Sequence, residues 1–514
     1  MDEKTIIALE IGSSKIKGAI GTITAESALN VTAVEEEPIL DIVRYGMIRN
    51  IFETAQAVRN VINRLELRVA PRKVQAVYLS VGGRSLISQP IECERRLPME
   101  TIITKELLDD ITAEVLKSPL HDRTIVGATP RELLIDKTVT TRPIGVMGSH
   151  VQARLNLISC RTQMMRNLAV VVEEKLGLRV ADTFVRPLAL ADLVLLNDEK
   201  KLGCMLVDFG AETTTVAIYR DGSLQHLAVL PMGSRNITRD IASLNYLEEQ
   251  AEEIKKNAGS AMPTTGDPLN SSFQNPDMAT INNYVAARAG EIILNICEQI
   301  KYAGLSASQL PHGIIIVGRG SRLARFNQRL EQMSGLKVRT GAPGNRLRIL
   351  DGRIQVADSV DVLAILAAAA HNEPVDCLSP TPQPEPQVYA PASGQPQPPY
   401  QSEPQPAPVN PAPAPAATAG TPSPARPAYH PGQRPAPQAP NFPNATGQAP
   451  RPVAPAPAPA PTPAPAPAPD PAPAAEPEPE RPKKPSIFSN FYGKLVNRVA
   501  NAVQSTFEEE EDEE

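Results

Sequence analysis

The sequence lacks the features that would place it in several large classes. No apolar run approaches the ~20 residues that a membrane-spanning helix needs, so a spanning protein is not expected. The five cysteines (Cys93, Cys160, Cys204, Cys297 and Cys377) are scattered, odd in number and form no CxxC pair. That argues against a disulfide framework or a zinc site and fits a reducing cytosol. The first residues run straight into a strand-like segment, without the basic and apolar leader of a secretory signal. An excess of positive charge is also lacking. The formal net charge is −6, and removing the seven acidic residues Glu508 to Glu514 leaves only +1. A body so close to neutral has no field suited to nucleic acid, and none is expected as a partner.

Proline, by contrast, is abundant but unevenly placed: only 14 of the 53 precede Pro374. The stretch before it reads as globular and long enough to bury a sizeable core. From Pro374 to about Pro485 the chain is Pro/Ala/Gln/Ser, which cannot bury enough apolar surface to offset the entropy of ordering. An extended spacer with polyproline II character is expected there, acting as a tether.

Within the globular part, Cys204 to Tyr219 reads CMLVDFGAETTTVAIY. Two apolar β-type runs flank a Gly- and Thr-rich turn entered through Asp208. The order predicts a hairpin whose turn offers N–H groups and hydroxyls to a phosphate, with a carboxylate placed for a metal. Alone, such a turn is usually only a turn. A second copy strengthens it: Thr5 to Ile20 reads TIIALEIGSSKIKGAI, with Glu10, Gly12, Ser13, Ser14 and Lys15 at its centre. Two such hairpins predict two similar half-domains facing a shared nucleotide.

The rest of the chain is read in order. Residues 1–81 form the first part of one half-domain. They comprise a meander over 5–35, a helix from Phe52 to Leu67 with Phe52, Ala55, Val58, Val61, Ile62 and Leu65 on one face, and a strand at Val74 to Val81. Gly82-Gly83 after that strand reads as a turn rather than an anion site. Residues 82–163 form an inserted α+β interaction module around a helix at Lys105 to Leu116. With no catalytic cluster, it suits contact with another protein. Residues 164–200 return to the first half, with Pro187 at a favoured early helix position.

Residues 201–373 form the second half-domain. An Asp221-Gly222 turn leads to a strand at Leu224 to Leu230, and helices follow at 236–258 and Tyr284 to Tyr302. A buried strand at Gly313 to Val317 leads through Gly318-Arg319-Gly320-Ser321 into a helix ending at Met333, a turn that suits a ligand in the crevice. A helix from Val356 to Ala370 closes the body. The linker (374–485), a terminal helix (486–507) and an acidic tail (508–514) follow.

In the terminal helix, Phe488, Phe491, Tyr492, Leu495, Val496, Val499, Val503 and Phe507 share one arc. An exposed apolar face on a long tether suits a membrane interface, with Lys483-Lys484 beside it for an anionic surface. The competing reading packs this helix back on the body. The acidic tail opposes anionic lipid.

Taken together these pieces resemble the actin-like ATPase superfamily, and within it the family of the bacterial cell-division protein FtsA. Glu10-Ile-Gly-Ser-Ser-Lys15 looks like the first phosphate motif and Asp208-Phe-Gly-Ala-Glu-Thr-Thr-Thr215 like the second. Ala251-Glu252-Glu253-Ile254-Lys255 is similar to the family's Ala-Glu-x-x-Lys segment, and Gly318-Arg319-Gly320-Ser321 to its adenosine glycines. The 82–163 region, with SVGGR and PIGVMGSHVQARLNLIS, is similar to FtsA's characteristic small module.

The resemblance implies an α/β, actin-like two-half fold of duplicated ribonuclease H-like domains, with ATP and Mg²⁺ in the cleft. The nucleotide contacts it implies are Gly12, Ser13, Ser14, Lys15, Gly210, Thr213, Thr214, Glu252, Lys255, Gly318, Gly320 and Ser321. Asp208 and Glu10 would hold the metal through water and are the only candidates for positioning an attacking water. It further implies protofilaments, binding to FtsZ and other divisome proteins, and attachment to the inner face of the cytoplasmic membrane at the division site.

Several residues depart from the family pattern. Glu10 replaces Asp, Ala211 and Glu212 replace glycines, Thr215 replaces a closing Asp, Arg186 stands where related ATPases have Glu, and Arg319 replaces a small residue. Losing acids and glycines together points to a nucleotide-responsive adaptor with weak or absent hydrolysis, because positioning water is a geometric task. The alternatives are an ATPase or small-molecule kinase of the same fold, or the scaffold of a pilus or secretion system.

Overall fold

Strand order carries the duplication suggested by the two hairpins. The computed structural model describes residues 4–24, 29–117, 120–140, 142–263 and 278–380, together with Lys494, Leu495 and Arg498. β1 (Lys4–Ile11), β2 (Lys15–Ile23) and β3 (Leu29–Pro38) form an antiparallel meander. A small ribbon of β4 (Val43–Arg44) and β5 (Met47–Ile48) leads into α1 (Ile51–Val69), and β6 (Ala76–Val81) returns parallel to β1. Next come β7 (Ile87–Ile102), α2 (Lys105–Leu116), β8 (Arg123–Ile135), β9 (Thr138–Val139) and β10 (Met147–Arg161). Those four strands make a separate antiparallel sheet, ordered β7-β10-β8-β9. α3 (Thr162–Ala169) widens into a π-helical turn at Val170–Lys175 and delivers β11 (Arg179–Val185), parallel to β6, then α4 (Arg186–Val194) and α5 (Asn197–Leu202).

The second meander is β12 (Cys204–Phe209), β13 (Thr214–Arg220) and β14 (Ser223–Leu230). After α6 (Ser234–Ala242), α7 (Glu248–Ala258) and α8 (Met278–Tyr302), β15 (Ile314–Val317) lies parallel to β12. α9 (Phe326–Ser334), β16 (Val338–Thr340), β17 (Arg348–Ile349) and α10 (Val356–His371) complete the body. The two large sheets run β11-β6-β1-β2-β3-β17 and β14-β13-β12-β15-β16. Each contains a three-stranded antiparallel meander continued by two parallel strands, the sign of a repeated half, and the first adds β17 at its other edge. The hairpin strands are buried along nearly their whole length, which explains their continuous rather than alternating apolar runs.

Local chemistry sets the ends of the elements. Asn50 accepts a hydrogen bond from the Glu53 amide and starts α1, and Thr104 does the same for α2 through the Leu107 amide. Asp221 (φ 53°) and Gly222 (φ 73°) both adopt the left-handed conformation that a tight two-residue hairpin requires.

Four expectations need correction. Phe52 is 73% exposed and has the Lys175 ammonium over its ring. At 100° per residue it lies about 120° from the centre of the buried stripe. The single helix expected at 236–258 is two, broken between Ala242 and Glu248. β17 and α10, placed by sequence in the second half, join the first: β17 pairs with β3, and α10 packs on β1, β2 and α4. Finally, the stretch expected to begin the linker at 374 is tied to the body through Val375–Ser379. The Cys377 amide donates to the Thr5 carbonyl at 2.8 Å, and the Gln75 amide to the Cys377 carbonyl at 2.8 Å. Backbone pairing between the ends of the neighbouring strands β1 and β6 overrides the proline-rich composition there.

The terminal segment contributes three described residues, all of helical backbone; Lys494 and Arg498 bond β11, and Leu495 joins the main core. Leu495, assigned by sequence to the membrane face, is 2% exposed. Lys494 Nζ donates to the Ala181 carbonyl at 2.7 Å and Arg498 to the Thr183 carbonyl at 2.7 Å. The Arg498 guanidinium also pairs with Asp182 at 3.2 Å and lies over the Phe184 ring. Phe488, Phe491, Tyr492, Val496, Val499, Val503 and Phe507, residues 381–485 of the linker and the acidic tail lie outside the described residues. Among the described residues no helix is long and apolar enough to cross a membrane.

Candidate functional site

The two hairpin turns meet in one cleft and are closed alike. The Gly12 amide donates to the Lys15 carbonyl at 3.0 Å, and the Gly210 amide to the Thr213 carbonyl at 2.9 Å. In register, Glu10 opposes Lys17 on one hairpin and Asp208 opposes Thr215 on the other, so the two acids hold equivalent places. Gly12, Ser13, Ser14, Lys15, Gly210, Thr213 and Gly318 all line this cleft. Gly318, at φ 87°, comes close under Phe209: a Cβ there would lie 2.5 Å from the Phe209 carbonyl oxygen.

Arg186, the first residue of α4, projects between the two acids. Its guanidinium is 2.9 Å from Glu10 Oε1 and 3.0 Å from Asp208 Oδ2. Burial pushes the Glu10 carboxyl up to about 7, and the nearby Asp361 adds to this against the pull of Arg186. Burial likewise raises Asp208, with Arg186 opposing. The remaining acids around the cleft are paired too. Lys17 Nζ meets Asp361 at 2.6 Å, Lys15 and Arg319 both face Glu36, and Arg322 meets Asp358 at 2.8 Å.

Glu212 does not do what its position suggests. Its side chain is 1% exposed, and its carboxylate is clasped by Arg44 Nε at 2.7 Å and by Arg235 and Arg239 at 3.4 Å each. The Tyr45 amide donates to its other oxygen at 2.6 Å. The charge that would repel a phosphate is thus neutralised by three guanidinium groups, and the backbone of the turn keeps its approach. Two amides at the α6 N-terminus bond to the same turn: Ser234 donates to the Gly210 carbonyl at 3.0 Å and Arg235 to that of Ala211 at 2.7 Å.

Other predicted contacts lie elsewhere. Thr214 is fully buried and donates to the Met232 carbonyl at 2.8 Å. Glu252 and Lys255 pair with each other at 2.6 Å and share Thr238, apart from the lining of the cleft. Gly320 is packed against the Phe209 ring, and the Ser321 hydroxyl donates back to the Gly318 carbonyl at 2.7 Å. The turn does not open a long helix, as expected: Arg319–Arg322 is a 3-10 turn, and α9 begins only at Phe326. Sequence reasoning missed Arg44, Arg235, Arg239, Asp358 and Asp361. Their only local signal is charge, and their partners are far along the chain.

The cleft's donor set suits an anion better than a metal. Arg186 Nε is buried without a hydrogen-bond partner among the described residues. Gly82 packs close beside that nitrogen, where an added Cβ would lie 3.3 Å away. The bare turns and the guanidinium are groups that an anion, not a cation, would satisfy. A divalent cation does not fit: both acids that would orient its water already bond Arg186. Among the described residues no group of three His, Cys, Asp or Glu side chains is placed to hold an ion.

Two duplicated halves around a cleft walled by paired hairpin turns define an actin-like α/β fold. The fold agrees with a chain of a solved PilM-PilN type IV pilus biogenesis complex, at TM-score 0.52 and 18% identity, covering 71% of this chain and 98% of that one. Within that class the chain is similar to the cell division protein FtsA. A family model of that description matches residues 205–364. Cell division protein FtsA of Porphyromonas gingivalis is 29% identical over 340 residues, 64% of this chain and 70% of the relative. That of Neisseria meningitidis serogroup B is 29% identical over 390 residues, 72% of this chain and 91% of the relative.

Proposed function

We propose that this protein is an actin-like cell-division adaptor that binds ATP, polymerises and ties the FtsZ ring to the inner face of the cytoplasmic membrane. The observation that supports it best is a cleft with both phosphate turns intact but its acids committed to Arg186. Such a site grips phosphate through backbone and cations, yet offers no free carboxylate to orient an attacking water. Nucleotide then acts as a conformational ligand. The sheet of β7, β8, β9 and β10 supplies the contact surface for divisome partners. The terminal helix supplies reversible membrane attachment, strengthened by avidity along a filament.

The test is purification of the full chain, ATP turnover against a Lys15→Ala control, and co-sedimentation of FtsZ with anionic vesicles, with and without the last 29 residues (486–514). Expected are turnover no higher than the control and vesicle recruitment of FtsZ that disappears on truncation. Turnover well above the control would move the protein to the ATPase or kinase reading, and recruitment unchanged by truncation would refute the tether.

A further inference from the structure

A guanidinium between two acids in the phosphate cleft occupies the place where a metal would be oriented. We propose that Arg186 acts as the built-in cation of this cleft, so that a nucleoside polyphosphate binds here without a divalent metal ion. The proposal rests on the nucleotide reading and makes it more specific.

Three observations carry it. First, Arg186 bonds Glu10 at 2.9 Å and Asp208 at 3.0 Å, so the two equivalent acids of the hairpins meet a fixed positive charge. Second, the Arg186 side chain lines the cleft and is 14% exposed, and its Nε–H has no acceptor among the described residues, so the guanidinium is not saturated by the protein. Guanidinium binds phosphate through directed, charge-assisted hydrogen bonds, and its charge cannot be titrated away at physiological pH. Third, the lysines that a metal–phosphate complex would leave free are engaged elsewhere, Lys15 with Glu36 and Lys17 with Asp361. Arg186 is therefore the cation fixed between the turns. A bound Mg²⁺ at the acids would have to displace it against two ion pairs in a low-dielectric site.

The test measures ATP affinity of the full chain by calorimetry in EDTA and in excess Mg²⁺. The expected result is dissociation constants agreeing to less than about fivefold. An affinity loss of about fivefold or more on chelation overturns the proposal while leaving the nucleotide reading intact. No binding in either buffer overturns both. The Arg186→Gln variant should lose about tenfold or more in EDTA and regain affinity with Mg²⁺, because Glu10 and Asp208 are released. Should that variant fail to fold, the parent chain still decides. Mn²⁺ titrated without nucleotide and followed by electron paramagnetic resonance should show no tight site, and a site of about 100 µM or better overturns the proposal.

Discussion

Replacing Glu212 by glutamine removes one negative charge from the clasp around the second phosphate turn while keeping the side chain's shape. The amide oxygen can still accept from the Tyr45 amide, so neither a cavity nor that bond is lost. What remains are Arg44, Arg235 and Arg239 around a neutral amide, with only the more exposed Asp41 and Glu248 as counter-charges for Arg44 and Arg235. Breaking a fully buried pair costs about 3–5 kcal/mol. These arginine side chains are 27%, 11% and 35% exposed, so water screens part of the loss. A cost of about 2–3 kcal/mol is the expected outcome. For a folded body of this size the unfolding entropy is roughly 0.8 kcal/mol/K, so the melting temperature should fall by about 3–4 °C. Calorimetry of parent, Glu212→Gln, Arg44→Gln and the double variant gives the coupling energy, expected near 1 kcal/mol. A drop below about 1 °C with no coupling would mean that the carboxylate is not held as described, and the reasoning fails.

Two further outcomes follow from groups already described. The Glu10 carboxyl is raised from an ordinary 4.5 to about 7. As the pH falls from about 8 to 6 it gains a proton and the cleft one net positive charge, so ATP should bind roughly three- to tenfold more tightly, and Glu10→Gln should remove most of that dependence. The stability sign is consistent. The native state binds the extra proton between 4.5 and 7, so Glu10's contribution is full below 4.5 and is lost as pH rises through 7. Asp182→Asn, which leaves the terminal segment's own sequence intact, should weaken the hold on Arg498 by about 1.5 kcal/mol. Vesicle co-sedimentation should rise severalfold, and unchanged partition would show that the contact does not restrain the segment.

The sequence makes the fold legible where a pattern is local. CMLVDFGAETTTVAIY and its twin announce two buried hairpins, because an apolar run, a glycine turn and a second apolar run are contiguous. Helix starts at Asn50, Thr104 and Pro187 are likewise written within a few residues. The functional detail is not. Glu212 reads as an obstacle to phosphate, because the sequence shows its charge but not Arg44, Arg235 and Arg239 around it. Arg186 reads as the loss of an acid, and only the geometry turns it into a cation between Glu10 and Asp208. Val375–Ser379 looks like linker because composition is averaged along the chain, whereas the pairing of Cys377 with Thr5 and Gln75 depends on strand ends more than 300 residues away.

β11 has a consequence beyond its place in the sheet. Its residues Asp182, Thr183 and Phe184 meet Arg498, and the residue that follows its end is Arg186, between the acids of the cleft. One short strand therefore borders both the cleft and the seat of Lys494 and Arg498. Thermodynamic coupling between two such sites is reciprocal. If anion binding at Arg186 shifts β11 enough to loosen Arg498, a lipid surface that draws Leu495 out must change anion affinity by the same factor. The membrane would then be an effector of the cleft as much as its anchor.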